Sequence, residues 1–325
     1  MLAAWYERPG PAAEVLEVGE MPDPDPGPGE VRVRLTMSGI NPGDTKKRGD
    51  WVGSGMPYPR VIPHSDGAGV VDAVGDGVDA ARTGERVWVY GAQSYRAFGT
   101  AAQRTVVPAE QAVALPDGVA DEIGACLGIP GITAHRAVFG DGSVAGRTVL
   151  VHGVLGGVGA MAAQLAAWRG ATVIGTVRRG SDLADAGDAV AHCIALDEGD
   201  PVAAIRHVAP DGVQRIVEVS FSDNADLDAA VAAPEAVIAA YATRDPRPAI
   251  DFWPMLFANL TIRLLGSDDF PPAARRQAAR ELTAAAQDGA LRIPLDEPLP
   301  LVRIAEAHDR VDAGTRNRVL LSIPD

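Results

Sequence analysis

The chain is poor in several residue types that define whole classes of protein. Its 325 residues include only two cysteines, Cys126 and Cys193, which cannot build a disulfide framework or a thiolate zinc site. Aromatic residues make up only 5% of the chain, whereas 47% of the residues are hydrophobic, which is enough for sizeable cores. No window approaches about 18 uninterrupted apolar residues, so no membrane-spanning helix is expected.

Positive charge is also scarce. Lys and Arg number 29 against 43 Asp and Glu, and the net charge of -14 disfavours nucleic acid and anionic membranes as partners of the whole molecule. This balance does not exclude a local basic patch for a phosphate. The start, MLAAWYERPGPAAEV, has Glu7 and two prolines where a secretory signal has a basic segment and an apolar run. We therefore expect a cytoplasmic protein.

The run from Thr148 to Arg179 predicts one complete strand-turn-helix-strand unit for binding a dinucleotide. An apolar strand over 148–151 leads into a turn that contains Gly153, Gly156, Gly157 and Gly159. Glycines at this spacing allow the backbone to turn tightly and to approach a pyrophosphate. The helix that follows has an apolar face, at positions 158, 161, 162, 165 and 166, and its first N–H groups would point at the phosphates. A second strand over 172–176 completes the unit. The alternative is a turn that is merely rich in glycine, but such a turn would lack the flanking strands and helix.

The end of that second strand bears on the choice of cofactor. An NAD site usually places an acidic residue there for the ribose hydroxyls, whereas this chain has Arg178 and Arg179. A guanidinium can bind the 2′-phosphate of NADP in a bidentate manner. The alternative is a pair of solvated arginines, because all but two of the 29 basic residues are Arg. The position favours NADPH.

The pattern of apolar runs indicates two domains. Before about residue 120, short strand-like runs at 31–35, 67–74, 85–90 and 103–107 are separated by Gly and Pro, which is typical of a largely antiparallel β-domain. Strands then alternate with helices, at 148–151, 172–176, 193–196, 215–219, 236–241 and 260–265, which predicts a doubly wound parallel sheet covered on both faces. Helices over 273–288 and 303–313 and a strand at 318–323 are expected to return to the first domain. We therefore predict an α/β protein with domains 1–122 plus 267–325 and 123–266.

Six segments carry a resemblance to a known family. They are SGINPGDTKKRG (38–49), SDGAGVVDAVGDGV (65–78), GERVW (84–88), LGIPGITAHRAV (127–138), VLVHGVLGGVG (149–159) and IAEAH (304–308). With these segments in this order, the chain resembles the medium-chain dehydrogenases/reductases, and among them the zeta-crystallin-like NADPH:quinone oxidoreductases. The resemblance covers nearly the whole chain. It implies a GroES-like catalytic domain, a Rossmann domain that binds NADPH, a quinone site in the cleft between them, and a homodimer or a tetramer.

The resemblance also implies that the site lacks zinc. In the alcohol dehydrogenase branch, ligands stand at positions that correspond here to Asn41, Ser65 and roughly Ile129, with Asp66 in place of a Glu. These residues do not supply the nitrogen and sulfur ligands of tetrahedral zinc. Without a Lewis acid to stabilise an alkoxide, alcohol oxidation is disfavoured, and reduction of an electrophilic quinone or enone is expected.

By the same resemblance, Asn41, Asp44 and Lys46 lie near the nicotinamide. Asn41 is expected to contact the cofactor and to donate to a substrate carbonyl. Asp44 either takes part in catalysis or holds its loop in place. Lys46 departs from the family, which commonly has Tyr there. Its ammonium group either stabilises a quinol anion or donates a proton, unless it is simply solvated beside Lys47 and Arg48.

Four further candidates come from the resemblance and from position in the sheet. His64 stands where relatives often have Gly, and is either a general acid or a hydrogen-bonded structural residue. Thr133 matches a residue that contacts the nicotinamide amide, although it could instead cap a helix. Tyr241 ends the fifth strand of the nucleotide domain, where ligands dock in such sheets, or is a core aromatic. Asn317 is a cofactor contact by analogy, or a turn residue.

The leading hypothesis is an NADPH-dependent reductase of quinones. An enone or enoyl C=C reductase is the nearest alternative, and it needs a placed acid to protonate carbon, for which Lys46 and His64 are the candidates. A hypothesis of another class is a non-catalytic structural or RNA-binding protein that still binds NADPH, although the acidity argues against RNA. The strand over 259–265 is expected to pair edge to edge in a homodimer.

Overall fold

The computed structural model describes all residues from Met1 to Asp325. Fifteen strands are present: β1 Leu2–Trp5, β2 Glu17–Glu20, β3 Glu30–Gly39, β4 Asp66–Val74, β5 Arg86–Val89, β6 Arg104–Pro108, β7 Ala112–Ala114, β8 Thr148–Val151, β9 Thr172–Val177, β10 His192–Ala195, β11 Val213–Glu218, β12 Ala232–Ala240, β13 Thr261–Leu264, β14 Leu299–Pro300 and β15 Leu320–Ser322. Ten α-helices accompany them: α1 Ala12–Val15, α2 Pro42–Arg48, α3 Asp121–Gly124, α4 Ile132–Phe139, α5 Gly157–Trp168, α6 Pro201–Val208, α7 Phe221–Val231, α8 Phe252–Phe257, α9 Pro272–Gln287 and α10 Ile304–Asp312.

The chain forms two compact units. The first comprises Met1–Pro130 together with Ile293–Asp325, and the second comprises Gly131–Arg292. The second unit therefore interrupts the first in sequence. Its borders, after Pro130 and after Arg292, lie later in the chain than the borders at 122/123 and 266/267 that the change in the apolar pattern predicts.

Packing explains both differences at the borders. Helix α9, which was expected to return to the first unit, belongs to the second, because Leu282 lies against Gly131 and Glu281 Oε2 lies 3.3 Å from His135 Nε2 at α4. At the earlier border, the N–H of Ile129 donates to Asp66 Oδ1 at 2.9 Å. This hydrogen bond ties the segment before Pro130 to the first unit.

The first unit is built on a seven-stranded sheet. Its strands follow the order β14-β15-β3-β4-β5-β7, with β6 also paired to β3, and all pairs except β14 with β15 are antiparallel. Along β3, the buried residues Val31, Val33 and Leu35 alternate with Arg32 and Arg34, as expected for a strand with one face on the core. The β-rich domain predicted from the short apolar runs is confirmed.

The second unit is built on a six-stranded parallel sheet with the order β10-β9-β8-β11-β12-β13. The chain runs outward from β8 to β10 on one side and then from β11 to β13 on the other, so the order reverses between β8 and β11. Helix α5 buries Met161, Ala162 and Leu165, the face that the sequence pattern indicates. The predicted doubly wound sheet is confirmed, and ligands bind such sheets at the carboxyl ends of the strands where the order reverses.

One edge of this sheet is apolar and exposed. Strand β13 is the edge strand, and Leu264 on it is 76% exposed. Helix α8 precedes β13 and exposes Phe252, Trp253 and Phe257, with Phe257 also at 76%. We call α8 and β13 together the edge patch. No helix of the structure is long and apolar enough to cross a bilayer.

Candidate functional site

The glycine-rich turn joins the end of β8 to the first turn of α5. Gly153 has φ of +66°, a conformation that favours glycine. A Cβ on Gly159 would lie 2.3 Å from the carbonyl oxygen of Gly153, so the turn closes on itself only with glycine there. Gly156 caps α5, and Gly157 and Val158 begin it, which leaves the first N–H groups of this helix available to a phosphate.

A buried polar cluster lies beneath this turn, and sequence reasoning missed it. Both ring nitrogens of His152 are hydrogen-bonded. Nδ1 lies 2.9 Å from Thr176 Oγ1, and Nε2 lies 2.9 Å from Asp228 Oδ1. Glu218 Oε2 lies 3.5 Å from the same Nε2. The sequence did contain one signal for this cluster, because His152 is an ionisable residue directly after the buried strand β8.

Burial and the neighbouring charges shift the pKa values of all three residues. Burial raises the pKa of both Glu218 and Asp228. Burial alone would lower the pKa of His152, but the two carboxyl groups raise it above its usual value. The three ligand atoms lie within 4.8 Å of one another, close enough for a metal ion. However, Nε2 of His152 is already bonded to Asp228, and Asn224 donates to both oxygens of Glu218 at 3.1 Å, so internal hydrogen bonds account for most of the arrangement.

Arg178 and Arg179 directly follow β9, which ends at Val177. Both side chains are exposed. No acidic residue stands at the end of the strand, and the next one along the chain is Asp182, on a short 3-10 turn. The structure therefore keeps two guanidinium groups at the strand end where a ribose or its phosphate is recognised in this type of sheet.

Thr133 and Tyr241 also belong to the second unit. Thr133 lies in the first turn of α4 and is buried. Tyr241 directly follows β12, and its backbone N–H donates to the carbonyl of Glu218 at 3.0 Å. Burial, with the nearby Glu218, raises the pKa of the Tyr241 phenol. Tyr241 thus lies at the carboxyl edge of the sheet, as its place in the sequence predicts.

In the first unit, Asn41 is held from both ends of its amide. Nδ2 donates to Asp66 Oδ2 at 2.7 Å, and Oδ1 accepts from Arg318 Nη2 at 2.9 Å. The three side chains are buried, and Asp66 is completely enclosed. Burial raises the pKa of Asp66 to about 7. We call these three residues the Asn41 network.

Strand register explains why Arg318 meets Asn41. Leu320 of β15 pairs with Gly39 of β3 in an antiparallel register, and the N–H of Ile40 donates to the carbonyl of Val319. One further step along the two strands brings Arg318 opposite Asn41. Neither Asp66 nor Arg318 was a predicted site residue.

Asp44 and Lys46 lie on α2, which Asn41 caps. Asp44 Oδ2 accepts the backbone N–H of Asn41 at 2.7 Å, which is the loop-holding role. This bond also satisfies a donor at the start of the helix. Lys46 is exposed, and its Nζ lies 5.4 Å from the ring centre of Trp51, which is itself exposed. Of the two side chains, only Lys46 reaches solvent.

His64 lies in the interior rather than at a surface from which it could donate a proton. It is fully buried, with Nδ1 2.9 Å from Ser38 Oγ and Nε2 2.8 Å from His308 Nε2. Burial lowers the pKa of His64 well below its usual value, and His308 adds to the effect. Its backbone has φ of +74°, which explains why glycine also suits this position. These contacts favour the structural alternative for His64.

Asn317 is exposed, and its Nδ2 donates to Asp296 Oδ1 at 2.9 Å. The contact with Asn41 is made by the next residue, Arg318. Of the positions that correspond to zinc ligands in the alcohol dehydrogenase branch, Asn41 offers an amide and Ile129 its backbone. With the hydroxyl of Ser65 and the carboxylate of Asp66, these positions do not supply the nitrogen and sulfur ligands that zinc prefers.

The two units define the class of protein: a GroES-like sheet domain combined with a Rossmann-like parallel sheet. Residues 27–117 match the alcohol dehydrogenase GroES-like domain family. The chain is similar to quinone oxidoreductases, and in both units it resembles the medium-chain dehydrogenases/reductases.

Three comparisons describe this similarity. The quinone oxidoreductase of Rattus norvegicus is 40% identical over 141 residues, and the match covers 42% of this chain and 41% of that protein. The quinone oxidoreductase of Homo sapiens is 29% identical over 298 residues, with 85% of this chain and 83% of that protein covered. A solved mycobacterial structure in complex with NADPH is 27% identical, with a TM-score of 0.84 and coverage of 99% of this chain and 100% of that one. The match with the higher identity, that to the rat protein, thus spans less than half the length of that relative.

Proposed function

We propose that this chain is an NADPH-dependent quinone oxidoreductase that works without zinc. The observation that carries the proposal is the match to the human quinone oxidoreductase over 298 residues, which spans both units. NADPH, when bound, supplies a hydride to the acceptor. The protein must then hold the cofactor, orient the acceptor and stabilise the negative charge that develops on the acceptor oxygen.

The glycine-rich turn and the strand end after β9 would hold the cofactor. The N–H groups at the start of α5 suit the pyrophosphate, with Gly153 and Gly159 allowing the close approach. Arg178 and Arg179 supply positive charge for a 2′-phosphate, which supports NADPH over NADH. The solved mycobacterial relative in complex with NADPH supports the same choice. Thr133 and Tyr241 are proposed as contacts of the nicotinamide half.

Asn41 is proposed to donate an N–H to the quinone oxygen, because only one of its two N–H groups is used by Asp66. Lys46 is the proposed source of positive charge or of a proton, since it is exposed whereas His64 is enclosed. A quinol anion can also take its proton from water, so quinone reduction does not require Lys46. Reduction of an enone does require a placed acid. The exposed Lys46 is thus the observation that keeps enone reduction as the second candidate.

The edge patch supports a homodimer. Edge strands with exposed apolar residues are prone to pair with another chain, and symmetric pairing of β13 with its copy would continue the parallel-sheet unit and cover Leu264 and Phe257. We propose that a second copy of this chain covers the patch. A cytoplasmic location is proposed on the expectation from composition.

The experiment that tests the proposed activity uses the purified full chain with NADPH and a panel of quinones and enones. Loss of the nicotinamide absorbance with quinones is expected, and turnover of enones alone would assign the second candidate. Binding of NADPH without oxidation by any acceptor would contradict both and favour a non-catalytic role.

A further inference from the structure

The Asn41 network permits one orientation of the Asn41 amide. If the amide turned by half a revolution, its NH2 group would face the guanidinium of Arg318 and its oxygen would face the carboxylate of Asp66. Donor would then meet donor and acceptor would meet acceptor, which costs both hydrogen bonds. The orientation is therefore set by the two neighbours.

The network also leaves a defined donor. Asn41 has two N–H groups, and one of them is used by Asp66 at 2.7 Å. Arg318 binds the amide oxygen and withdraws electron density from the amide, which makes the remaining N–H a stronger donor. Arg318 is 8% exposed and its Nε has no hydrogen-bond partner, while its guanidinium group bonds both the Asn41 amide and the Cys126 thiol.

We propose that Asp66 and Arg318 are positioning residues, which hold the Asn41 amide so that its remaining N–H faces the oxygen of a quinone substrate. The inference rests on the proposed function, because it assigns that N–H to the acceptor of the hydride. It adds two residues to the machinery, and neither of them touches the substrate.

The charge of Asp66 makes this role sensitive to pH. Burial raises its pKa to about 7, and Asp44 acts in the same direction, while Asn41, the Ile129 N–H and Arg318 act against it. As the pH rises through that value, Asp66 loses its proton and its bond to Asn41 becomes charge-assisted. The amide is then held more firmly. Turnover that depends on Asn41 therefore rises with pH across the neutral range.

Kinetics of the full chain with NADPH and 1,4-benzoquinone test the proposal. Asp66→Asn and Arg318→Met are each expected to lower kcat/KM for the quinone about tenfold or more, while KM for NADPH changes less than about twofold. Asp66→Asn should also remove the ionisation near neutral pH. Asp117→Asn, a matched change at an exposed carboxylate, should behave as the unchanged protein does. Wild-type kinetics and an unaltered pH profile in Asp66→Asn would overturn the proposal.

A second measurement needs neither turnover nor a folded variant of Asp66. The chain has four asparagines, so protein labelled with 15N at asparagine gives four side-chain NH2 signals, and Asn41→Asp identifies the relevant one. In the unchanged protein this signal should shift with pH, with a midpoint near 7. A signal that stays constant from about pH 6 to about pH 8 would overturn the positioning role even if quinones are reduced. A signal that titrates in a protein that reduces no quinone would instead contradict the proposed function alone.

Discussion

Replacing His308 by Gln tests whether the buried histidine pair makes the first unit sensitive to acid. His308 lies on α10, fully buried, with its ring stacked on that of His64 at 5.0 Å between centroids and the two Nε2 atoms 2.8 Å apart. One Nε2 must therefore carry a proton and the other a lone pair. Both rings are neutral in this arrangement, because a second proton between them would bring two buried cations together.

The size of the effect follows from the shift in pKa. Burial, with the nearby Arg48, lowers the pKa of His308 from its ordinary value of 6.5 to about 3. Between these values the unfolded chain holds a proton that the folded chain does not, so stability is lost as the pH falls below 6.5. Each pH unit costs about 1.4 kcal/mol, so acidification to about pH 5 costs about 2 kcal/mol at His308. His64, whose pKa is also lowered, adds a loss of the same sign.

Urea unfolding followed by tryptophan fluorescence at about pH 5 and about pH 7.5 measures this difference. In His308→Gln, the loss of unfolding free energy between the two pH values should be about 2 kcal/mol smaller than in the unchanged protein. His207→Gln removes an exposed histidine and should leave the loss unchanged. An equal loss in His308→Gln and in the unchanged protein would refute the reasoning.

Three further outcomes are expected. Arg178→Ala combined with Arg179→Ala should raise KM for NADPH about tenfold or more and alter that for NADH little, because only NADPH carries the 2′-phosphate; equal effects would contradict the assignment. Lys46→Ala should abolish turnover of enones and leave that of quinones within about threefold, since water can protonate a quinol anion; a loss with both acceptors would refute the distinction. Phe257→Asp should convert the proposed dimer to a monomer, measured by light scattering after gel filtration, because a buried unpaired carboxylate opposes association; a monomeric unchanged protein would refute the dimer itself.

Two matched variants control these experiments. Lys47→Ala removes the neighbouring ammonium group and should not affect enone turnover. Val302→Asp places a carboxylate at an exposed apolar residue of the first unit, outside the edge patch, and should leave the mass in solution unchanged.

The parallel sheet was predictable because its signals are local. Each strand is a short apolar run closed by Gly, Pro or a helix, and the run at 148–151 coincides with β8. The border after β13 was not predictable in this way. A helix such as α9 shows its apolar face in the sequence, but the sequence does not state which surface that face covers, and here the surface is α4.

The residues of the candidate site also differ in how local their sequence signals are. The glycine turn and the arginines after β9 are contiguous in sequence, so their pattern could be read directly. The Asn41 network joins residues that are 25 and 277 positions apart, and it exists only because β15 pairs with β3 in one register. The cofactor contact at Asn317 stays a prediction, whereas the bond from its neighbour Arg318 to Asn41 had no signal in the sequence.

The pairing of β15 with β3 has a consequence for how the protein matures. During synthesis, Asn41 and Asp66 emerge early, and the entire parallel-sheet unit follows before Arg318 does. Until that moment the Asn41 amide lacks the partner for its oxygen, and β3 has an open edge where β15 will lie. A nascent chain can therefore complete its glycine-rich turn before the Asn41 network is assembled, so that under the proposed function binding of NADPH is expected to precede competence for reduction.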